Sequence, residues 1–269
     1  MKIFANHAHV FRQDQRPDGT VSALLEVMDK TGIEKCVCFA PFYEWGLDYN
    51  PNLWMAEELK AHPELTGFGV VDIHGQDLTG QIKQIRELGF KGIKLHPAFQ
   101  KFAIDGPEAF QVYAAAQEAG LFLSFHTGVH WHRIKDYQPL LFDEVAWNFP
   151  DLKFSMEHVG GYCFFNEALA VILNNRAEET GKCNVYAGLT SVFDNDRNRF
   201  WYLGQEKVRT LLHMTSDELC LFGLDFPYND AGKITAAIEE ICKAFFVLQK
   251  LPHTSIIFPH KIPPLCAKD

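Results

Sequence analysis

The chain has 269 residues, which suits one large domain or two small ones. Its formal net charge of -9, without any dense basic run, argues against nucleic acid as the main partner. No stretch approaches the roughly 18 to 20 apolar residues of a membrane span, and we expect neither a signal peptide nor an anchor, so the sequence predicts a cytoplasmic protein. The seven cysteines lack Cys-x-x-Cys spacing and are typical of a reducing compartment.

Eight apolar runs rich in β-branched and aromatic residues predict eight strands. They cover residues 2–11, 35–40, 67–72, 92–96, 121–126, 153–158, 184–188 and 219–225. Amphipathic helical patterns separate them, for example over residues 21–30, 53–61, 78–88, 108–118, 164–179 and 233–248.

The strand ends follow one another at roughly 30-residue intervals, the length of a strand, a helix and two turns. Eight such units in roughly 250 residues predict a closed (β/α)8 TIM barrel. The alternatives are two domains or an open doubly wound sheet, which usually has fewer strands and a glycine-rich phosphate turn after the first. Because no linker composition interrupts the chain, we predict one barrel domain over residues 1–269, with an irregular tail at 251–269.

Polar residues end five of the predicted strands. His7 and His9 are two positions apart on the first strand and therefore project from one face. An isolated His-x-His pair is more often a chance occurrence. Here, however, further polar residues end strands four, five, six and eight, namely His96, His126, His158 and Asp225. In a barrel these ends meet at one face, the face that carries the active site.

The ordered motifs NHAHVF, GIKLHP, SFHTG, EHVGG and FGLDFPY resemble the amidohydrolase superfamily. Within it they resemble the amidohydrolase 2 group, which includes aminocarboxymuconate-semialdehyde decarboxylase. The resemblance covers roughly residues 1–231 and implies a metallo-dependent hydrolase barrel. It implies a metal held by His7, His9, His126 and Asp225, with His158 as a nearby catalytic histidine. Residues 254–259 depart from the family pattern, since they do not supply its closing glycine-containing turn and arginine.

Three imidazoles and a carboxylate suit Zn²⁺ or another divalent first-row ion, and they leave a position open for catalysis. Such an ion can activate water near neutral pH. Asp225 is then the expected proton acceptor, and His158 either polarises a substrate oxygen or shuttles the proton. One metal is favoured over two. The two-metal alternative places a second ion on His126, His158 and a carboxylated Lys94.

Other polar residues have weaker assignments. Lys94 shares strand parity with His96 and points into the barrel, as a salt-bridged or substrate-binding group. His96 either contacts substrate or closes the layer. Glu157 is expected to face the helices, and Trp54, Trp147 and Trp201 are expected to be packing aromatics. Long loops cover the predicted active face at 42–52, 129–138 and 191–204. We expect the polar residues in these loops to be exposed to solvent, and the alternative is that an arginine among them binds a substrate carboxylate. These residues are Glu44, His130, His132, Arg197 and Arg199.

The leading interpretation is a metal-dependent hydrolase that uses an activated water to attack an amide, ester or lactone carbonyl of a small molecule. The alternative is non-oxidative decarboxylation of a small unsaturated or aromatic acid. A non-catalytic barrel with a structural metal is disfavoured, because structural zinc sites are usually closed by four protein ligands. Association into homo-oligomers is compatible with the sequence.

Overall fold

The computed structural model describes residues 3–177, 182–196, 199–215 and 217–249, with side chains to Ala244. The predicted tail at 251–269 and Arg197 lie outside these residues.

The eight predicted strands form one parallel sheet in which each strand pairs with the next along the chain. Their bounds are β1 Ile3–His9, β2 Ile33–Phe39, β3 Leu65–Gly69, β4 Gly92–Leu95, β5 Phe122–His126, β6 Phe154–Glu157, β7 Val185–Thr190 and β8 Cys220–Gly223. The connection between β8 and β1 is a parallel bridge from Ala8 to Phe226, supported by a 2.7 Å hydrogen bond from the His9 N–H to the Phe226 carbonyl. The (β/α)8 prediction is confirmed.

Helices follow the strands and cover the barrel. They are α1 Val21–Thr31, α2 Pro51–Leu59, α3 Leu78–Glu87, α4 Pro97–Gln100, α5 Pro107–Glu118, α6 Leu141–Asn148, α7 Gly161–Asn174, α8 Gly204–Thr215 and α9 Ala231–Gln249. The side chains of Thr20, Asn50 and Asp77 accept hydrogen bonds from the first turns of α1, α2 and α3, which explains where these helices begin. Within the described part of the chain, no helix has the length and apolarity that crossing a bilayer requires.

Helix α7 differs from its prediction, which spanned residues 164–179. It begins at Gly161, and its backbone leaves helical geometry at Phe164, with φ of -122°. It ends at Asn174 because Arg176 already pairs with Cys183 in an isolated antiparallel bridge. The amphipathic pattern therefore marked the helix correctly but not its two ends.

The barrel interior is packed tightly beneath its carboxyl-terminal face. A cluster of Val37, Phe39, Phe68 and Phe122 forms an apolar layer there. Two glycines allow close approach above it. A Cβ on Gly188 would lie 2.2 Å from Glu157 Oε2. A Cβ on Gly223 would lie 2.7 Å from the Cβ of His7 and even closer to Thr190. Any larger residue at either position would displace polar groups of the barrel mouth.

Three strand ends carry non-glycine residues in the left-handed backbone region. These are His158 after β6 (φ 64°), Ser191 after β7 (φ 57°) and Asp225 after β8 (φ 54°). This conformation costs free energy for a residue with a Cβ and persists only where the surroundings hold it. Because all three of these residues lie at the carboxyl-terminal face of the barrel, we infer that the left-handed backbone orients their side chains toward the barrel mouth.

Candidate metal centre

The structure brings together His7, His9 and Asp225 at the carboxyl ends of β1 and β8. One possible ligand atom of each lies within 4.8 Å of the other two, and all three residues are buried. The Nε2 atoms of the two histidines face each other at 3.1 Å, and His7 Nε2 lies 3.5 Å from Asp225 Oδ1. Two nitrogens bound to one Zn²⁺ at about 2.0 to 2.1 Å are themselves about 3.3 Å apart, so this spacing is close to what a divalent ion requires.

The hydrogen bond made by His7 Nδ1 determines which ring nitrogen of His7 carries the proton. Nδ1 lies 3.1 Å from Glu157 Oε2, and a carboxylate accepts. Nδ1 therefore carries the proton and leaves the lone pair on Nε2, the atom that faces His9. A buried carboxylate behind a histidine is the usual second partner of a metal ligand.

Asp225 is held in place through Ser191. The Ser191 hydroxyl donates to Asp225 Oδ2 at 2.8 Å, and Asn229 Nδ2 donates to the Ser191 oxygen at 2.8 Å. The Asp225 backbone N–H donates to the His7 carbonyl at 2.8 Å, which ties the carboxylate to the metal-facing strand. Burial raises the pKa of Asp225 to about 6, against the opposing effects of Ser191 and the positive charge of Lys94.

The imidazoles at the mouth are neutral. Burial lowers the pKa of His7, His9, His126 and His158 well below the usual value, and nearby positive charge lowers each further. Metal binding requires the unprotonated imidazole, so no proton has to be displaced at neutral pH. In addition, His9 Nδ1 and His158 Nε2 are buried without a hydrogen-bond partner among the described residues. Buried polar atoms of this kind call for a ligand or an ion.

His126 lies beside this group rather than within it. Its ring centroid is 4.6 Å from that of His158. Its Nε2 lies 2.7 Å from the Gly128 carbonyl. Because a carbonyl only accepts, Nε2 carries the proton and Nδ1 retains the lone pair that a metal would use.

His158 presents a free lone pair to the mouth. Its Nδ1 lies 2.8 Å from the Thr190 carbonyl and so carries the proton, while Nε2 is the buried atom without a partner. Its ring centroid is 5.7 Å from that of His7. The residue therefore has an unprotonated nitrogen next to the metal-facing histidines.

Trp201 reaches the site from the loop between β7 and α8. Its indole stacks on His158 with centroids 4.0 Å apart and an angle of 23° between the planes, and its Nε1 donates to the Val129 carbonyl at 2.9 Å. Trp201 thus packs as expected, although its partner is a site histidine. Trp147, also expected to pack, is 75 % exposed.

The expected orientation of Glu157 is wrong. Its side chain is fully buried inside the barrel, where it meets His7 instead of the helices. Strict strand alternation put Glu157 and His158 on opposite faces. The left-handed backbone at His158 and Val159 breaks that alternation and turns both side chains toward the mouth.

Glu157 is the centre of a hydrogen-bond network that the sequence analysis missed. Besides His7, it accepts hydrogen bonds from the side chains of Asn6, Ser124, Ser155 and Thr190. The donor–acceptor distances from Asn6 and Thr190 are 2.7 and 2.9 Å. This network fixes the orientation of the carboxylate. One member of the network could have been recognised in the sequence, because Thr190 is a polar residue at the end of a buried strand, as the site histidines are.

His96 caps the short helix α4. Its Nδ1 accepts a 3.3 Å hydrogen bond from the Phe99 N–H, and its own N–H donates to Gln100 Oε1 at 2.9 Å. Its ring stacks on His126 with centroids 3.9 Å apart. Of the two expectations for His96, closing the layer describes these contacts, and a contact with substrate stays a prediction.

Lys94 points into the barrel as expected and is buried. Its Nζ lies 3.5 Å from Ser124 Oγ and 4.8 Å from the centre of the Phe39 ring. No carboxylate of the described residues pairs with it within 4.0 Å, so the salt-bridged form is not seen there. Burial lowers its pKa to about 8, and the charges of Glu157 and Asp225 oppose that shift.

This pKa predicts a pH-dependent stability in metal-free protein. Between pH 8 and the usual lysine pKa of about 10.4, the unfolded chain binds the Lys94 proton and the folded chain does not. The free energy of unfolding therefore rises across this window in wild type relative to Lys94→Met. Urea unfolding at pH 7 and pH 10 measures the difference, with exposed Lys83→Met as the matched control. Equal pH dependence in wild type and Lys94→Met would refute the assignment.

The remaining loop residues lie around the mouth. Glu44 accepts from Gln100 Nε2 at 3.2 Å, and Arg199 is exposed beside Phe200. His130 and His132 are partly buried in the loop between β5 and α6. None of these four belongs to the group formed by His7, His9 and Asp225.

The profile of the amidohydrolase family matches residues 10–245. The chain belongs to this family, as its motifs predicted. No curated protein matched the chain.

Solved structures similar to this one share its barrel. One is an uncharacterised TIM-barrel protein from Bordetella bronchiseptica, with 19 % identity, a TM-score of 0.71 and coverage of 93 % of this chain and 99 % of the other. A putative 2-pyrone-4,6-dicarboxylic acid hydrolase from Pseudomonas putida has 16 % identity, a TM-score of 0.64 and 90 % coverage of both chains. A 5-carboxyvanillate decarboxylase from Novosphingobium aromaticivorans, solved with bound manganese, has 15 % identity, a TM-score of 0.63 and coverage of 88 % and 90 %.

Proposed function

We propose that the protein is a metal-dependent hydrolase that cleaves an amide, ester or lactone bond of a small molecule. The observation that carries the proposal is the convergence of buried His7, His9 and Asp225 at the barrel mouth. We assign these residues and His126 as ligands of one divalent ion, with zinc favoured by the imidazole-rich set. Bound there, such an ion would acidify a water and polarise a substrate oxygen.

The residues themselves supply proton transfer. Asp225, whose pKa burial raises to about 6 in the absence of an ion, is suited to take a proton from water and to return it to the leaving oxygen or nitrogen. His158 Nε2 is a second acceptor, because its proton resides on Nδ1 against Thr190. In this tautomer His158 shuttles a proton rather than donating to a substrate oxygen. Trp201 stacked over it limits the access of bulk water to this side.

Non-oxidative decarboxylation of a small carboxylic acid is the second candidate. It is favoured by the similarity to the manganese-containing decarboxylase and by Lys94, a buried cation beneath the mouth that can attract a carboxylate. The reaction would use the same pocket for substrate orientation.

A substrate panel in H₂¹⁸O separates the two reactions. We expect purified protein with bound divalent metal to convert one of a panel of small amides, esters, lactones and carboxylated dienes, with one ¹⁸O incorporated into the organic product. Release of carbon dioxide without ¹⁸O in that product would replace the hydrolase by the decarboxylase. No turnover by protein whose metal never exchanges would instead favour a structural metal.

A further inference from the structure

A second group of histidines lies at the rim of the barrel and adjoins the centre described above, because the ring of His96 stacks on that of His126. His96 follows β4, and His130 and His132 lie in the loop between β5 and α6. One ring nitrogen of each lies within 4.8 Å of the other two. The His96 and His132 ring centroids are 5.5 Å apart, and those of His130 and His132 are 6.3 Å apart.

We propose that His96, His130 and His132 form a second metal site for a divalent first-row ion that prefers imidazole, such as Zn²⁺. Three imidazoles with one open position are a known zinc coordination set. Nitrogens bound to one zinc at about 2.0 to 2.1 Å lie about 3.3 Å apart. Only a short inward movement of the loop is therefore needed to complete the shell.

The backbone of the loop holds two of these histidines in position. Trp131, between them, adopts a left-handed conformation with φ of 57° and is 79 % exposed, so burial of its indole does not explain the strain. Tyr137 fixes the preceding residue from both sides: its hydroxyl donates to the His130 carbonyl at 2.7 Å and accepts from the His130 N–H at 2.9 Å. The backbone of this loop therefore holds His130 and His132 close to the buried His96, as a shared ligand would require.

The charges around the site allow metal binding. Burial is the main cause that lowers the pKa of His130 and His132, which favours the neutral imidazoles that bind metal. Lys101 contributes positive charge near His132, which Asp136 opposes.

Metal binding at this site would break a hydrogen bond of His96. Its Nδ1 accepts from the Phe99 N–H at 3.3 Å, so binding through Nε2 moves a proton to Nδ1 and loses this long hydrogen bond. Three metal–nitrogen bonds are formed in exchange.

The site is open to solvent on one side. His132 also lines a cavity of about 820 Å³, together with Lys101 and Arg133. An ion can therefore enter and leave without opening the barrel, which makes the second site the more exchangeable of the two.

Zinc stoichiometry tests the proposal. Full-length protein stripped with a chelator is dialysed against buffered Zn²⁺, and bound zinc is measured by elemental analysis. We expect two ions in wild type, one in the His130→Ala/His132→Ala double variant and two in His213→Ala, which removes an exposed histidine of α8. His132→Gln alone should weaken the second binding step at least tenfold with the circular dichroism spectrum unchanged. A double variant that binds as much zinc as wild type would overturn the proposal.

This outcome is separable from that of the proposed function. His7→Ala acts on the centre at β1 and β8 and leaves the rim histidines intact. If His7→Ala binds as much zinc as wild type, the proposed catalytic centre fails. If only the rim variants leave the stoichiometry unchanged, the second site fails.

Discussion

Replacing His7 or His9 by alanine is expected to remove most of the metal of the proposed catalytic centre and nearly all activity. Each change leaves an incomplete ligand set, and His7→Ala also leaves Glu157 without one of its donors. Asp225→Asn should weaken metal binding and delete the proton acceptor as well. The loss of activity should exceed the roughly 10² to 10⁴-fold that is typical of removing a general acid or base alone. Metal analysis after dialysis and kcat/KM measure the two effects.

The matched control is His62→Ala. His62 precedes β3 and is therefore at the opposite end of the barrel, where it pairs with Glu64 at 3.3 Å. This variant should keep the metal content and activity of wild type. If all three site variants instead retained the metal content of wild type, the assignment of His7, His9 and Asp225 as ligands would be wrong.

Replacing His158 by asparagine should separate catalysis from metal binding. The asparagine amide can still donate to the Thr190 carbonyl, so the fold and the ligand set should be preserved. What is lost is the free Nε2 lone pair. A positioned general base contributes roughly 10² to 10⁴ in rate. We therefore expect kcat/KM to fall by about that factor, which corresponds to a loss of about 2.7 to 5.4 kcal/mol of transition-state stabilisation. The metal content should stay near that of wild type.

A lower metal content would change the interpretation of His158. If His158→Asn lost half or more of the metal of the catalytic centre, His158 would be a ligand. Lys94, buried close to the same network, would then become a candidate bridge between two ions in that centre. Unchanged metal with unchanged kcat/KM would remove His158 from the mechanism altogether.

The fold could be predicted because parallel barrels repeat one unit. Each strand is an apolar run, each connection needs a helix, and the roughly 30-residue rhythm follows from those lengths. Polar residues at the ends of such buried strands are conspicuous, since nothing in the core requires them. His7, His9 and Asp225 were therefore recognisable in the sequence, and the structure places them together.

Local backbone irregularities limited the prediction of side-chain directions. The pairing of β1 with β2 shifts register between Ala5 and Ala8, and this lets consecutive residues Asn6 and His7 both reach Glu157. The left-handed turn at His158 has the same effect on β6. A strict two-residue period cannot represent either feature, which is why Glu157 was assigned to the wrong face.

Contacts made by loops were also beyond sequence reasoning. Trp201 belongs to the loop after β7 but stacks on the histidine that follows β6. The Tyr137 hydroxyl forms two hydrogen bonds with the backbone of His130, seven residues earlier. Both depend on loop conformation, which the pattern of apolar residues does not encode.

Anomalous X-ray diffraction at the zinc absorption edge tests the central claim most directly. Crystals of the zinc-loaded protein should show a peak at about 2.0 to 2.2 Å from Nε2 of His7, Nε2 of His9 and a carboxylate oxygen of Asp225. His126 should complete the shell. Protein that contains zinc in solution but shows no anomalous peak between β1 and β8 would contradict the account.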